Sequence, residues 1–457
     1  MIRNRDQLSS SPAHEVALDC LAAGIEAADP TRLTRRAVSL ADGMLTVGDA
    51  SYEIADYDEM LVLGGGKAAA VVAAALETIL GDALDGGLVV TDSPAPSPVS
   101  TQHVEVLVGD HPIPSDRGVA HTRRLLDAAE TADESTLLLG VITGGGSALM
   151  TAPAGELSPA DLRATTETLL ASGATIDEIN AVRKHCSAIK GGRLAAAAQP
   201  ADICSLVVSD VVGNDLATIA SGPLVGDPTT DADAREVLDR YDCDVPEAVI
   251  GRLDRGIAGK IEATPPPGDP VFASVTTTII GDGRTAVEAA ADRAREAGFS
   301  PLVLSSGIRG EAREAAKTQV AIAEEIQASG QPTAPPAVVV SGGETTVTVD
   351  GGGTGGPNQE FALSAATELA AAAADDSGVG DVVGDTVVAA VDTDGVDGPT
   401  DAAGGIVDSE TIAPGVGRNA LAENDAGVAL GVADALIETG PTGTNVNDLR
   451  IVVVDAS

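Results

Sequence analysis

The stretch Leu61-Val62-Leu63-Gly64-Gly65-Gly66-Lys67-Ala68-Ala69 decides the fold: an apolar run, a glycine triplet, and a lysine leading into an alanine-rich segment. The apolar run bounded by glycine reads as a strand buried on both faces, and the alanine-rich segment as the helix after it. Two more stretches repeat the design. Val141-Ile142-Thr143 runs into Gly144-Gly145-Gly146-Ser147, and Val338-Val339-Val340-Ser341 runs into Gly342-Gly343-Glu344. Glycine at a strand end lets backbone N–H groups turn inward and approach a ligand, because no Cβ blocks positive φ. Where a helix follows, its N-terminus adds partial positive charge suited to phosphate or carboxylate. Gly65, Gly66, Gly145, Gly146, Ser147 and Glu344 are therefore candidate anion or substrate contacts. Tight β–α turns without a ligand are the bland alternative, which three such clusters make weaker than one would.

Working outward, short apolar strands alternate with alanine-rich helices: Met60–Leu63, Gly87–Thr91, Val104–Val108, Leu137–Thr143 and Ile203–Ser209. That alternation implies an α/β fold, a Rossmann-like parallel sheet with helices on both faces. The run Thr264-Pro265-Pro266-Pro267-Gly268-Asp269-Pro270 sustains neither helix nor central strand, so it separates an N-terminal domain, 1–264, from a C-terminal one, 271–457. The second, smaller α/β domain has expected strands at Ser274–Ile280, Pro301–Ser305, Ala337–Ser341, Thr345–Val349, Thr386–Val391 and Arg450–Val454, with helices from Arg284 and Gly310. Alternation at Thr346-Val347-Thr348-Val349 predicts antiparallel elements and hence a mixed sheet. Thr229–Asp233 and Ala371–Asp385 read as acidic surface loops.

Composition sets the medium. The 457 residues carry 69 Asp+Glu against 27 Lys+Arg, a formal net charge of −42. Such density repels itself in dilute buffer and is screened in molar salt, where the Debye length is about 3 Å. Hydrophobic content of 44% argues against disorder. With three Phe, three Tyr and no Trp, the core must be aliphatic. The reading is a folded protein of a salt-rich cytoplasm, whose charge says little about a partner except that it disfavours nucleic acid. Cys20, Cys186, Cys204 and Cys243 form no C-x-x-C pair and read as small buried apolar residues. Met1–Ser11 lacks a signal-peptide core, and no 18-residue apolar run offers a membrane span.

Lys67 weighs against a dinucleotide reading of its own motif. Gly64–Ala69 matches G-x-G-x-x-A, and Asp92 ends the next strand where a ribose-binding acid would stand. A lysine inside the turn instead points a cation at whatever the turn cradles, as phosphoryl transfer requires. In a chain with five lysines, a purely solvated Lys67 is the weaker alternative. The motif is not a Walker A, because Leu61 stands where its first glycine would be. A second basic spot spans Asn180–Arg193. Ile176, Ile179, Val182, Cys186 and Ile189 make an apolar helix stripe, Arg183 and Lys190 share another face, and Gly191-Gly192 marks the stop. Arg183 and Lys184 become candidate anion contacts, against the plain reading of a solvated basic face.

Carboxylates at strand ends supply base and metal candidates. Asp210, Asn214 and Asp215 follow one apolar strand, and Asp392, Asp394 and Asp397 follow another. Hard oxygen ligands of this kind suit Mg²⁺, which keeps waters and takes one or two carboxylates plus phosphates; acidic surface loops are the alternative. His111, in a proline-fixed turn, is open to a pocket or a structural role. Ser147 lacks the G-x-S-x-G frame, so a serine hydrolase is unsupported.

The chain resembles the type II glycerate kinases, the glycerate 2-kinase group whose C-terminal part is the MOFRL domain. The stretches that carry the resemblance are Leu63–Ala68, Gly109–Pro114, Thr143–Leu149, Asn180–Ala195, Ser209–Pro223, Gly310–Glu314, Ser341–Thr346, Asn358–Phe361, Thr393–Gly405 and Thr439–Asp448, in the family's order over nearly the whole chain. The resemblance implies ATP- and Mg²⁺-dependent phosphorylation of D-glycerate, to 2-phosphoglycerate and ADP, in an interdomain cleft. Carried onto matching positions, Lys67 would contact phosphate or substrate carboxylate. Asp210 and the Asp392/Asp394 loop would handle the hydroxyl or the metal, and Arg183, Lys184, Asn214 and Asn358 lie in matched motifs. One departure matters: Pro357 stands where many members have arginine before Asn358-Gln359-Glu360, and Arg183 and Arg309 are the candidates to replace it. A homodimer is compatible with this reading. The rivals are an NAD(P)H-dependent hydroxypyruvate reductase, resting on G-x-G-x-x-A and Asp92, and a non-enzymatic anion sensor, resting on the glycine cradles alone.

Overall fold

Every residue from Thr136 to Thr143 is buried, which requires cover on both faces of that strand. The computed structural model describes residues 1–92, 100–111, 113–374 and 386–456. An antiparallel meander, β1 (Val38–Ala41), β2 (Met44–Val47) and β3 (Ala50–Glu53), precedes the main sheet. That sheet contains β4 (Glu59–Gly65), β5 (Gly86–Thr91), β6 (Val104–Val108), β7 (Thr136–Thr143), β8 (Asp202–Val208) and β9 (Val275–Gly281), in the order β6-β5-β4-β7-β8-β9. Strands β4 to β8 pair in parallel, as the strand–helix alternation requires. Leu63, Val90, Leu125, Leu138, Ile142 and Ile203 belong to one core. Helices Pro159–Ala171, Ile176–His185, Asp231–Arg240 and Glu247–Ile257 carry a separate apolar cluster around Leu169, Val182 and Leu253.

The later sheet contains β10 (Ser300–Ile308), β11 (Ala337–Gly343), β12 (Thr386–Asp392), β13 (Gly404–Val407), β14 (Leu436–Ile437) and β15 (Asp448–Val454). Its order is β10-β11-β15-β12-β13-β14, with β10 and β11 parallel and the other pairs antiparallel, a mixed sheet. Asp282 caps helix Gly283–Glu296 by accepting from Thr285 N–H (3.0 Å). Helices Ala312–Ser329 and Pro357–Ala373 bury Val320, Ile326, Phe361 and Leu369 with this sheet.

By compactness the chain divides into Pro30–Ile280 and a second unit of Met1–Asp29 with Gly281–Ser457. This differs from a split at 1–264 and 271–457 in three respects, the first being that β9, expected as a strand of the C-terminal domain, belongs to the main sheet of the first unit. The proline-rich segment stays with the first unit, where Pro265 O accepts from Asp227 N–H (2.9 Å). Residues 1–29 join the second because helix Pro12–Ala27 packs on helix Gly283–Glu296 and on β15. An added Cβ at Gly24 would meet Ala286 O at 2.9 Å, so only glycine permits that approach.

Three local expectations need correction. Thr345–Val349 is not a strand, because its backbone finds one bridge, Thr346 to Glu311, and Val349 is left exposed. The apolar stripe from Ile176 does not continue to Gly191: the helix ends at His185 and Ile176 faces solvent. Meander strands β1–β3 and strands β13 and β14 went unforeseen. The acidic loop Ala371–Asp385 lies outside the described residues from position 375 onward, and so does Pro112. No helix among the described residues is long and apolar enough to cross a membrane.

Candidate active site

Parallel pairing of β4 with β7, in the register Gly65 to Ile142, brings the first two glycine clusters to the same sheet end. Lys67 N–H donates to Gly144 O (2.8 Å), and Ala68 N–H to Thr143 Oγ1 (3.2 Å), tying one turn to the other. Gly66 has φ +135° and Gly145 φ +76°, conformations that L side chains rarely adopt. A Cβ on Gly145 would stand 3.1 Å from Lys67 Cγ and 3.4 Å from His111 Cδ2, so the lysine stem lies across this turn. The helix after Gly145 has only four residues, Gly146–Leu149, so the helix-end charge expected there is slight. The helix after Lys67, Ala69–Leu80, has twelve.

Asp210 leaves no room for a side chain at Gly144, which puts its carboxylate against the second glycine turn. Burial raises its pKa above the ordinary carboxylate value, and the Lys67 charge acts in the opposite sense. Burial and the charges of Lys67 and Arg183 lower the His111 pKa, while Asp92 opposes them. Arg183 is half-buried and desolvated. Neither Lys67 Nζ nor the Arg183 guanidinium makes a hydrogen bond or ion pair among the described residues.

Behind the glycine turn lies Lys190, buried, whose Nζ donates to Ser147 O (2.6 Å) and Met150 O (2.9 Å). Desolvation and the neighbouring Arg183 charge bring its pKa down to about 7. Ser147 Oγ and Ser221 Oγ share a hydrogen bond (2.7 Å), and Ser221 Oγ donates to buried Asn180 Oδ1 (3.0 Å). Ala220 and Ser221 hold φ of +51° and +60°, backbone strain of the kind surrounding structure must impose.

Two expectations fail here. Lys184 is buried and ion-paired to Asp227 (3.2 Å), which also accepts from Thr229 Oγ1 (2.7 Å), so it is a structural cation rather than an anion contact. Asp210, Asn214 and Asp215 do not act as one group. Asp215 accepts from Thr218 Oγ1 (2.6 Å) and Ala217 N–H (3.1 Å) in its own turn, while Asn214 turns the backbone at φ +57°.

The third glycine cluster belongs to the other unit and opens no helix. At its sheet end Gly343, Asp448 and Asp392 lie in a row across β11, β15 and β12. Glu344 is exposed, and its N–H donates to Ile308 O (2.9 Å). Asp448 accepts from Thr345 N–H (3.1 Å), Asn358 Nδ2 (2.7 Å) and the buried Arg450 guanidinium. Asp397 accepts the first N–H groups of helix Pro357–Ala373, from Asn358 (3.0 Å) and Gln359 (2.8 Å). Burial raises its pKa to about 7. Asp392 is pushed up by burial and by Asp394, Asp448 and Asp397 around it. Four carboxylates around one guanidinium gather hard oxygen donors of the kind a divalent cation takes, and the raised pKa values of Asp392 and Asp397 express, beside burial, the mutual repulsion such a cation would relieve. Among the described residues no three His, Cys, Asp or Glu side chains converge on a single metal position. Asn358, a candidate substrate contact, is turned inward, and its Oδ1 is buried without a hydrogen-bond partner.

Sequence reasoning missed Lys190 as a buried amine, the Ser147–Ser221–Asn180 chain, and Asp448 with Arg450. One signal was available: Arg450 is the lone charge inside the apolar run Leu449–Val454, and a buried arginine there demands a partner.

A domain family of unknown function (DUF4147) matches residues 16–254, and the MOFRL family matches residues 337–448. The glycerate 2-kinase of Pyrococcus horikoshii is 40% identical over 96% of this chain and 97% of its own length. The chain belongs to the glycerate kinase family. The solved glycerate kinase structure from Thermotoga maritima, 34% identical, aligns with a TM-score of 0.81 over 96% of this chain and 99% of that one. A protein of Agrobacterium vitis, provisionally named hydroxypyruvate reductase, is 40% identical over 86% of this chain and 87% of its own length. Pro357 is the first residue of helix Pro357–Ala373 and carries no charge at the position where the resemblance implied an arginine. Arg309 is exposed and already partnered, which leaves Arg183 as the uncommitted guanidinium of the two candidates.

Proposed function

We propose that the chain transfers the γ-phosphoryl group of ATP to the 2-hydroxyl of D-glycerate, giving 2-phosphoglycerate and ADP. One observation carries this reading: in a chain with 69 acidic residues, Lys67 and Arg183 make no hydrogen bond or ion pair with their side-chain charges among the described residues, and Lys67 lies near Asp210, a carboxylate whose pKa is raised. Unpaired cations at the carboxyl ends of parallel strands suit an anionic ligand. Lys67 and the N–H groups of Gly65, Gly145 and Gly146 would neutralise charge spread over the phosphoryl oxygens as transfer proceeds, whereas Gly66 N–H, expected to join them, is already given to Val90 O (2.9 Å). Asp210 would orient the substrate hydroxyl and accept its proton, and a raised pKa makes it a better base for that step. Asp392 and Asp394 would hold Mg²⁺, whose chemistry is charge neutralisation at phosphate oxygens. The acidic, lysine-poor composition supports a salt-rich cytoplasm as the working medium.

A coupled ADP-release assay with Mg-ATP and D-glycerate in molar KCl tests the reading. ADP release should depend on glycerate, and enolase should convert the product without a mutase. The reductase reading keeps a place because of the Agrobacterium relative and because Asp92 follows β5, next to β4. Oxidation of NADH by hydroxypyruvate, with no ADP release, would replace the kinase reading with it.

A further inference from the structure

We infer that Arg183 is the residue that selects a carboxylate-bearing substrate, receiving the carboxylate of the hydroxy acid in the small pocket it lines with Ser147 and Lys190. The inference rests on the kinase reading and divides labour within that site.

Two cations meet here with different chemistry. Lys67 is a point charge on a flexible stem, exposed on the glycine turn beside Asp210. Arg183 is a planar fork, half-buried, and its desolvation has no compensating partner among the described residues. A desolvated guanidinium is costly unless something pairs with it, and a carboxylate matches its two parallel donors. The pocket beside it is lined by Pro114, Ser147, Thr151, Arg183, Ser187 and Lys190. Among the described residues the other basic side chain lining it is Lys190, whose Nζ is already spent on Ser147 O and Met150 O. Among the described residues no carboxylate lines this pocket. The side with Lys67 and Asp210 holds the base, and the side with Arg183 has room for the group that does not react. A guanidinium there distinguishes glycerate from its uncharged counterparts, which a lysine on the turn does not require.

The test compares D-glycerate with the neutral glyceramide as acceptors for wild type, Arg183→Met and Arg183→Lys, with circular dichroism to establish folding. In wild type, kcat/KM should favour glycerate strongly. In Arg183→Met the glycerate-to-glyceramide ratio should fall at least about tenfold, the loss of one charge-assisted pair. KM for ATP should stay within about twofold, and Arg183→Lys should lie between. A merely structural defect would lower both acceptors together and leave the ratio unchanged, and that result overturns the inference. So does a rise confined to KM for ATP, which would place Arg183 on the nucleotide. If Arg183→Met turns over neither acceptor, calorimetric binding of D-glycerate decides: loss of binding supports the assignment and unchanged binding overturns it. Wild-type protein that neither binds nor phosphorylates D-glycerate removes the kinase reading and this inference together. Wild-type turnover with an unchanged ratio removes the inference alone.

Discussion

Adjacent side chains on one helix can have opposite fates, and Arg183 and Lys184 are such a pair. About 100° of helical rotation separates neighbours, so one faces the glycine turns while the other is buried against Asp227. The sequence makes the basic segment plain but not which member looks which way, because that depends on the loop carrying Asp227. Lys67 was legible since its glycine turn fixes its place whatever else surrounds it. Lys67→Ala should lower turnover about tenfold or more with an unchanged melting curve; near-normal turnover would remove its role. Lys190 allows a prediction with a sign. Its amine is neutral in the folded protein above about pH 7, whereas the unfolded chain keeps the ordinary value of 10.5. Between these pH values the unfolded state binds the extra proton, so raising pH favours the folded state. Wild-type stability relative to Lys190→Met should therefore rise from pH 7 to pH 10, measured by denaturant unfolding at each pH. The neutral amine still has two hydrogens for Ser147 O and Met150 O, so its anchoring survives the titration.

At the scale of elements, the strands that run into glycine were readable because long apolar runs and turn residues agree with each other. Strands β1 to β3, four residues each, carry too few positions for a period to emerge. Thr345–Val349 has the alternation of a strand but finds only the single bridge to Glu311, since β11 is already flanked by β10 and β15. The row formed by Asp392, Asp448 and Gly343 could not be read at all, because register between strands distant in the chain is set by packing. Arg450 ties this row together. It donates to Asp448 and to Thr345 Oγ1 (2.8 Å), with its guanidinium carbon 5.1 Å from the centre of the Phe361 ring. Arg450→Met would strand Asp448 in the interior and should cost about 3–5 kcal/mol in denaturant unfolding. A loss below about 1 kcal/mol would mean that Asp448 finds compensation elsewhere.

Across the whole molecule, the charge of −42 is a general term added to every local one. Long-range repulsion acts over about 10 Å in 0.1 M salt and about 3 Å in 1 M. The melting temperature should therefore climb steadily from 0.1 M to 3 M KCl; a flat response would show that ion pairs such as Arg293–Asp19 already balance the surface. The division into units carries a consequence for biosynthesis. Thr444 Oγ1 donates to Ala28 O (2.6 Å) across 416 positions of chain, and helix Pro12–Ala27 packs on β15, a strand deep in its sheet. As the polypeptide leaves the ribosome, the Pro30–Ile280 unit has all its strands in hand early, while helix Pro12–Ala27 waits for helix Gly283–Glu296 to cover part of its apolar face and for the last strand to cover the rest. Vectorial synthesis therefore leaves helix Pro12–Ala27 partly uncovered while most of the chain is still being made, and chaperone engagement during translation should centre on it.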